Sequence, residues 1–215
     1  PAPGRAREAR PQRARASSYV GLGWQAGVLA AGLATVFLKP SIGWRGMFLL
    51  GLLPALVSFV MRRSVGEPEG YIEKIRASNN ALPIGLLVKD GETTRISLGM
   101  FILCAVQNFG YYGIMIWMPN YLANQFKFGL TKSVTWTLVT VLGMAFGIWL
   151  FGQLADRIGR KPVFTAYMIG AIVSVLAYSQ LSSETALLVG GAIMGIFVNG
   201  MLGGYGALMS ELYPT

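Results

Sequence analysis

Six long apolar runs, separated by short charged or glycine- and proline-bearing stretches, organise the 215-residue sequence. They fall at about 19–38, 44–61, 96–118, 134–155, 163–181 and 186–210. A helix rises about 1.5 Å per residue, so roughly 20 residues cross a hydrocarbon layer of about 30 Å. Five of the runs meet that length unaided. The second is marginal, because Arg45 sits at its edge and must extend its guanidinium to the interface. None of the runs alternates as a membrane-barrel strand does. The fold expected is all-α: a polytopic membrane protein with six transmembrane helices.

Composition agrees with lipid as the solvent. The chain is 53% hydrophobic and only 13% charged, with mean hydropathy +0.53, whereas a soluble domain carries about a quarter charged residues. His is absent and the one cysteine, Cys104, lies inside an apolar run, where it reads as a small buried hydrophobe. An intrachain disulfide and a cysteine-based metal cluster are therefore impossible, and His, the commonest metal ligand, is missing. No cluster of carboxylates, or of serine with a base, marks a membrane enzyme. We expect no enzymatic activity, no metal and no cofactor. The net charge of +9 does not imply nucleic acid, because the basic residues sit at helix ends and in the first 17 residues.

Those basic residues are distributed unevenly. Fourteen lie in residues 1–17, in 62–95 and at Arg157, Arg160 and Lys161; only Lys39, Arg45, Lys127 and Lys132 lie in the alternate connections. By the positive-inside rule the fourteen face the cytoplasm, which puts both ends of the chain there. The membrane expected is the plasma membrane, the inner membrane of a bacterium. Residues 63–95 mix both signs with Pro68, Pro83 and the Asn79-Asn80 pair, and read as a cytoplasmic linker between a helix pair (18–62) and four helices (96–215). Within it, 69–77 could form a short surface helix. Residues 1–17, rich in Ala, Arg and Pro, read as a basic cytoplasmic loop or an altered N-terminus. A nucleic-acid arm or transit-like peptide is the competing reading.

Residues 152–161 read Gly-Gln-Leu-Ala-Asp-Arg-Ile-Gly-Arg-Lys and are followed by Pro162. Gly152 permits close helix approach. Asp156 can sit at the positive N-terminus of a neighbouring helix or pair with a cation. Gly159 supplies the turn. Arg157, Arg160 and Lys161 hold the loop on the cytoplasmic side, and Pro162 starts the next helix without needing a donor. The string resembles the loop signature of the major facilitator superfamily, Gly-x-x-x-Asp-Arg-x-Gly-Arg-Lys. Three weaker strings agree: Trp44-Arg45-Gly46-Met47-Phe48, Gly66-Glu67-Pro68-Glu69 and Glu211-Leu212-Tyr213-Pro214-Thr215. The resemblance covers residues 18–215 and implies helices five to ten of a twelve-helix, two-bundle secondary transporter. Its partners would be a small-molecule substrate, the bilayer and the remaining helices of the same chain, with a proton as the coupling ion. The strings around Trp24-Gln25 and Trp117-Met118-Pro119-Asn120 resemble the symporters of organic or aromatic acids. Sugar transporters are the near rival, and a receptor or channel the rival of another class.

Polar side chains at lipid depth are costly and usually face a cavity or a helix partner. Gln25, Gln107, Asn108, Tyr111, Tyr112 and Asn199 are those residues here, and we expect them to contribute to a substrate cavity or, as the alternative, to bond between helices. Gln107 shares a helix face with Tyr111, and Asn108 with Tyr112. The pairs Gly23/Gly27, Gly143/Gly147 and Gly191/Gly195 should bring helices close, and Gly200, Gly203, Gly204 and Gly206 should form a bending gate.

A topology test follows directly. The protein should resist alkaline carbonate extraction, and tags in residues 1–17 and 157–161 should both report the cytoplasmic face; opposite faces would refute the orientation.

Overall fold

A computed structural model describes residues 13–64 and 90–212. The predicted corner at 66–69, the surface helix at 69–77, most of the linker, residues 1–12 and Tyr213-Pro214-Thr215 lie outside the described residues. Within them every regular element is helical: α1 (Arg13–Phe37), α2 (Lys39–Leu50), α3 (Leu52–Ser64), α4 (Gly91–Tyr112), a π-helical turn (Gly113–Trp117), α5 (Met118–Gln125), α6 (Leu130–Ile158), α7 (Arg160–Tyr178), α8 (Glu184–Gly200) and α9 (Leu202–Leu212). They make six runs long and apolar enough to span a bilayer: 14–37, 39–64, 91–125, 131–158, 160–178 and 184–209. The six expected spans are present.

The boundaries differ where local chemistry extends a helix. The second span starts earlier than its apolar core, because Pro40 is well placed in a first turn, and it kinks at Gly43, whose φ of 66° suits glycine. The third runs on to Gln125 through Pro119, which has no N–H to donate. The wider π register just before it absorbs the missing bond, and Met118 N–H reaches back to Ile114 O. Gly159, at φ 93°, divides α6 from α7. Ser183 starts α8 by accepting the Ala186 N–H at 3.3 Å, with Glu184 in the first turn favouring the helix dipole.

The contacts divide the chain into two units, Ala34–Phe101 and Pro1–Leu33 with Ile102–Thr215. In the first, α2 and α3 contain no buried residue. Arg45 lies over the Trp44 ring and Arg63 over the Phe59 ring, at 5.1 and 4.4 Å from the centroids. These contacts shield the stems of cations at the ends of an apolar span.

The larger unit is built on the crossing of α6 and α8. A Cβ on Gly143 would strike the Ala192 backbone, and one on Gly147 the Ile196 backbone. From the other side, a Cβ on Gly191 would meet Trp136 Nε1 at 2.7 Å and one on Gly195 the Thr140 carbonyl at 2.7 Å. Two of the three predicted glycine pairs thus face each other across one seam. Gly23 and Gly27 have no neighbour near a would-be Cβ. At one end of the seam Trp136, with no exposed surface, donates from Nε1 to Tyr178 Oη (3.0 Å) and Leu187 O (3.2 Å), amid Leu122, Phe128 and Met194. At the other end Phe151 stacks edge-on with Phe164 and Tyr167 at 4.8 and 5.1 Å, and Tyr167 Oη donates to Gly147 O at 3.0 Å. The last span breaks at Met201, yet its glycines serve close packing. A Cβ on Gly203 would meet Ser18 Oγ at 2.6 Å and Ile148 O at 3.0 Å, and one on Gly204 would strike the Phe151 ring.

Gly143→Ala or Gly147→Ala should therefore destabilise the protein by about 1–3 kcal/mol through overpacking against backbone that cannot yield. Gly23→Ala should be neutral or stabilising by up to about 1 kcal/mol, since helix propensity there favours Ala. Thermal unfolding in detergent, compared across the three variants, checks this; equal melting temperatures would refute the seam.

Candidate functional site: a polar cleft and a charged corner

Three spans bring polar side chains together near their middles. α1 contributes Trp24, α4 contributes Gln107, Asn108, Tyr111 and Tyr112, and the last span contributes Asn199 and Leu202; together they line a cleft of about 240 Å³. Spacing explains the α4 contribution, because residues three to five apart along a helix cover one broad stripe. Gln107 is buried and donates from Nε2 to Asn199 Oδ1 at 3.0 Å, which ties α4 to α8. Trp24 Nε1 donates to Tyr111 Oη at 3.4 Å, which ties α1 to α4. Asn108 Nδ2 donates back to Cys104 O at 2.9 Å, a local bond within α4. Tyr111 and Tyr112 meet edge-on at 5.2 Å. Asn199 is 2% exposed, and its Nδ2 has no partner among the described residues.

Five of the six predicted cavity residues line this cleft. The sixth, Gln25, does not. Successive helical residues point about 100° apart, so Gln25 turns away from the face that Trp24 presents. It lies instead on the stripe of Gly21 and Gly32, whose would-be Cβ atoms meet Ile148 and Leu138 of α6. There it is 1% exposed, with neither amide atom partnered among the described residues. Trp24 is the lining residue that polarity alone overlooked. An aromatic ring at mid-span beside Gln25 was the available signal.

The charged corner lies where α6 turns into α7. Asp156, its side chain 5% exposed, accepts from the Arg15 backbone N–H at 3.3 Å and pairs with Arg15 Nε at 3.6 Å. The carboxylate thus meets a helix-start amide and a cation at once. A Cβ on Gly152 would strike Ser18, so its absence lets α1 lie against α6; Ser18 Oγ in turn donates to Gly203 O at 3.3 Å. Arg160, 12% exposed, donates from Nη1 to Ala207 O at 2.8 Å and pairs with Glu211. Arg157 and Lys161 point outward and are exposed. Gly152, Asp156, Gly159 and Arg160 therefore form a joint that holds α1, α6, α7 and α9, while Arg157 and Lys161 remain at its rim. The partners Arg15, Ser18 and Glu211 are distant in sequence, and the loop string alone does not reveal them.

The family model described as Major Facilitator Superfamily matches residues 6–215. The chain belongs to that superfamily. It is a multi-pass membrane protein of a transporter family and not an enzyme. It is 56% identical over 210 residues to a Haemophilus influenzae protein named for metabolite transport, covering 94% of this chain and 52% of that one. It is 28% identical over 211 residues to the cis,cis-muconate transport protein of Acinetobacter baylyi (90% and 48% covered) and 26% identical over 229 residues to the niacin transporter of the same organism (92% and 50%). The chain spans about half the length of these curated relatives. No solved structure gives a significant match.

The corner generates a test. Cysteine placed at position 18 should be shielded from maleimide, since Ser18 is buried against Gly203. Asp156→Asn removes an ion pair whose arginine is partly exposed, a loss of about 1–2 kcal/mol, and should raise the labelling rate about tenfold. An unchanged rate would show that Asp156 does not hold α1.

Proposed function

We propose that the protein is a secondary transporter that moves a small polar metabolite, an organic or aromatic acid, across the plasma membrane by alternating access. One observation carries this reading: polar and aromatic side chains from three different spans converge in one cleft near the middle of each span. Transporters of this architecture bind substrate at the bilayer midplane between helices that rock against one another. In this reading 18–62 ends one helical bundle, 96–215 begins the other, and 63–95 is the linker. The remaining helices, about as many again, complete the cavity. The excess of basic residues in 1–17, 62–95 and 157–161 keeps both ends of the chain on the inner face of a bacterial membrane.

Acids are favoured as substrates because two relatives that share about half their length with this chain are named for muconate and niacin, both carboxylic acids. The aromatic walls of Trp24, Tyr111 and Tyr112 suit a flat unsaturated solute. Coupling to protons follows the family resemblance. No acidic residue lies deep in the described spans, and in this reading the titrating group belongs to the remaining helices of the transporter.

Uptake of labelled cis,cis-muconate, nicotinate and glucose by cells expressing the intact transporter tests the reading. Acid uptake above background, lost on adding a protonophore, is the expected outcome. Glucose uptake instead would assign the sugar alternative, and no uptake with a passive ion conductance would assign a channel.

A further inference from the structure

We infer that the cleft recognises a carboxylate of the solute, whose two oxygens meet two neutral donors with polarity fixed by two neighbouring residues, Gln107 and Trp24. The inference rests on the transport reading and adds how the substrate is held and which residues set its class.

A primary amide carries both an acceptor oxygen and a donor nitrogen, and a phenol both accepts and donates. Neither group alone selects an acid. Here each is committed. Gln107 Nε2–H occupies Asn199 Oδ1 at 3.0 Å, so the amide of Asn199 turns its oxygen toward α4 and is left with Nδ2–H as its free function. Trp24 Nε1 has only a hydrogen to give, and it gives it to Tyr111 Oη at 3.4 Å. The Tyr111 hydroxyl, occupied as an acceptor, keeps its own hydrogen to donate. Both groups line the same cleft, and among the described residues no Lys or Arg lines it with them.

A buried donor without a partner is costly, more so at low dielectric. Asn199 Nδ2 is such a donor, 2% exposed. A solute oxygen placed there removes the cost, and an anionic oxygen removes it best, since bonds to charged groups are the stronger. A solute presenting an N–H at the same place would meet a second donor and be rejected. On the side of the cavity that these helices supply, the acid is held by directed dipoles, which also leaves the solute free to depart. Gln107 and Trp24 are positioning residues here, because they act through Asn199 and Tyr111.

Isosteric acid and amide pairs test the inference, with nicotinate against nicotinamide and benzoate against benzamide as probes. Their binding to the purified intact transporter in lipid nanodiscs is measured by calorimetry. The wild type should prefer each acid to its amide by about tenfold or more. Asn199→Asp turns the free donor into an acceptor and should reverse that preference. Gln107→Met should cut the ratio to near one by freeing the Asn199 amide to rotate, whereas simple packing damage would weaken acid and amide alike. Tyr111→Phe keeps the ring and should cost the acid alone about three- to tenfold. Acid binding whose ratio to the amide survives all three substitutions would overturn this inference and leave the transport reading standing. Wild-type protein that binds neither acid would overturn it together with the assignment of acids as substrates.

Discussion

The backbone contact between α6 and α8 is the constraint on which the larger unit depends. In lipid there is no hydrophobic force to drive two apolar helices together, so close packing must supply the association. Gly143 and Gly147 lie against Ala192 and Ile196, and Gly191 and Gly195 answer from the opposite helix. Once the two backbones touch, dispersion contacts accumulate along the whole crossing. The register this sets has consequences at both ends. It brings Trp136 under the Leu187 carbonyl at one end and Tyr167 under the Gly147 carbonyl at the other. It also fixes the height of Asn199, one turn beyond Gly195, and so the place where Gln107 must meet it.

The number and helical nature of the spans were legible because lipid leaves few options. A spanning segment must satisfy its own backbone, so apolar length translates almost directly into helix. The ends of spans were less legible. The expected spans leave out Pro40 and Pro119, yet the first begins a helix and the second is carried by a π-helical turn. Such detail depends on how neighbouring carbonyls find partners and leaves little trace in hydropathy. Tertiary pairing was the least legible. The loop string around Asp156 announced a joint, but Arg15 and Glu211 as its partners follow from the way distant helices pack.

The cavity residues show the same division. Polarity at lipid depth selected Gln107, Asn108, Tyr111, Tyr112 and Asn199, because burying such groups without purpose is expensive. The criterion is blind to direction. It included Gln25, which sits on the stripe packed toward α6, and missed Trp24, whose indole is mostly apolar and raises no alarm in a hydropathy count. Glycine patterns carry a related ambiguity. The glycines at 200–206 read as a bending gate, and in this arrangement Gly203 and Gly204 are also positions that Ser18 and Phe151 approach closely. A glycine run in a membrane helix signals either freedom or contact, and only the neighbouring helix decides which.

The cleft and the charged corner share one helix, and that gives the arrangement its mechanical sense. α1 carries Arg15 and Ser18 in the corner and Trp24 in the cleft. Six residues separate Ser18 from Trp24, about 9 Å along a rigid helix. A helix held by its backbone bonds cannot shift one of these groups and leave the other in place. Release of Arg15 from Asp156 therefore moves the indole that keeps the Tyr111 hydroxyl facing the cleft as a donor. If the cleft binds a solute as proposed, a solute that draws on that hydroxyl would favour the register in which Trp24 supports it, and with it the seating of α1 on Gly152. Binding in the cleft and the seating of α1 at the corner would then be two readouts of one helix position. Their coupling can be no larger than the difference in affinity for the solute between the two registers.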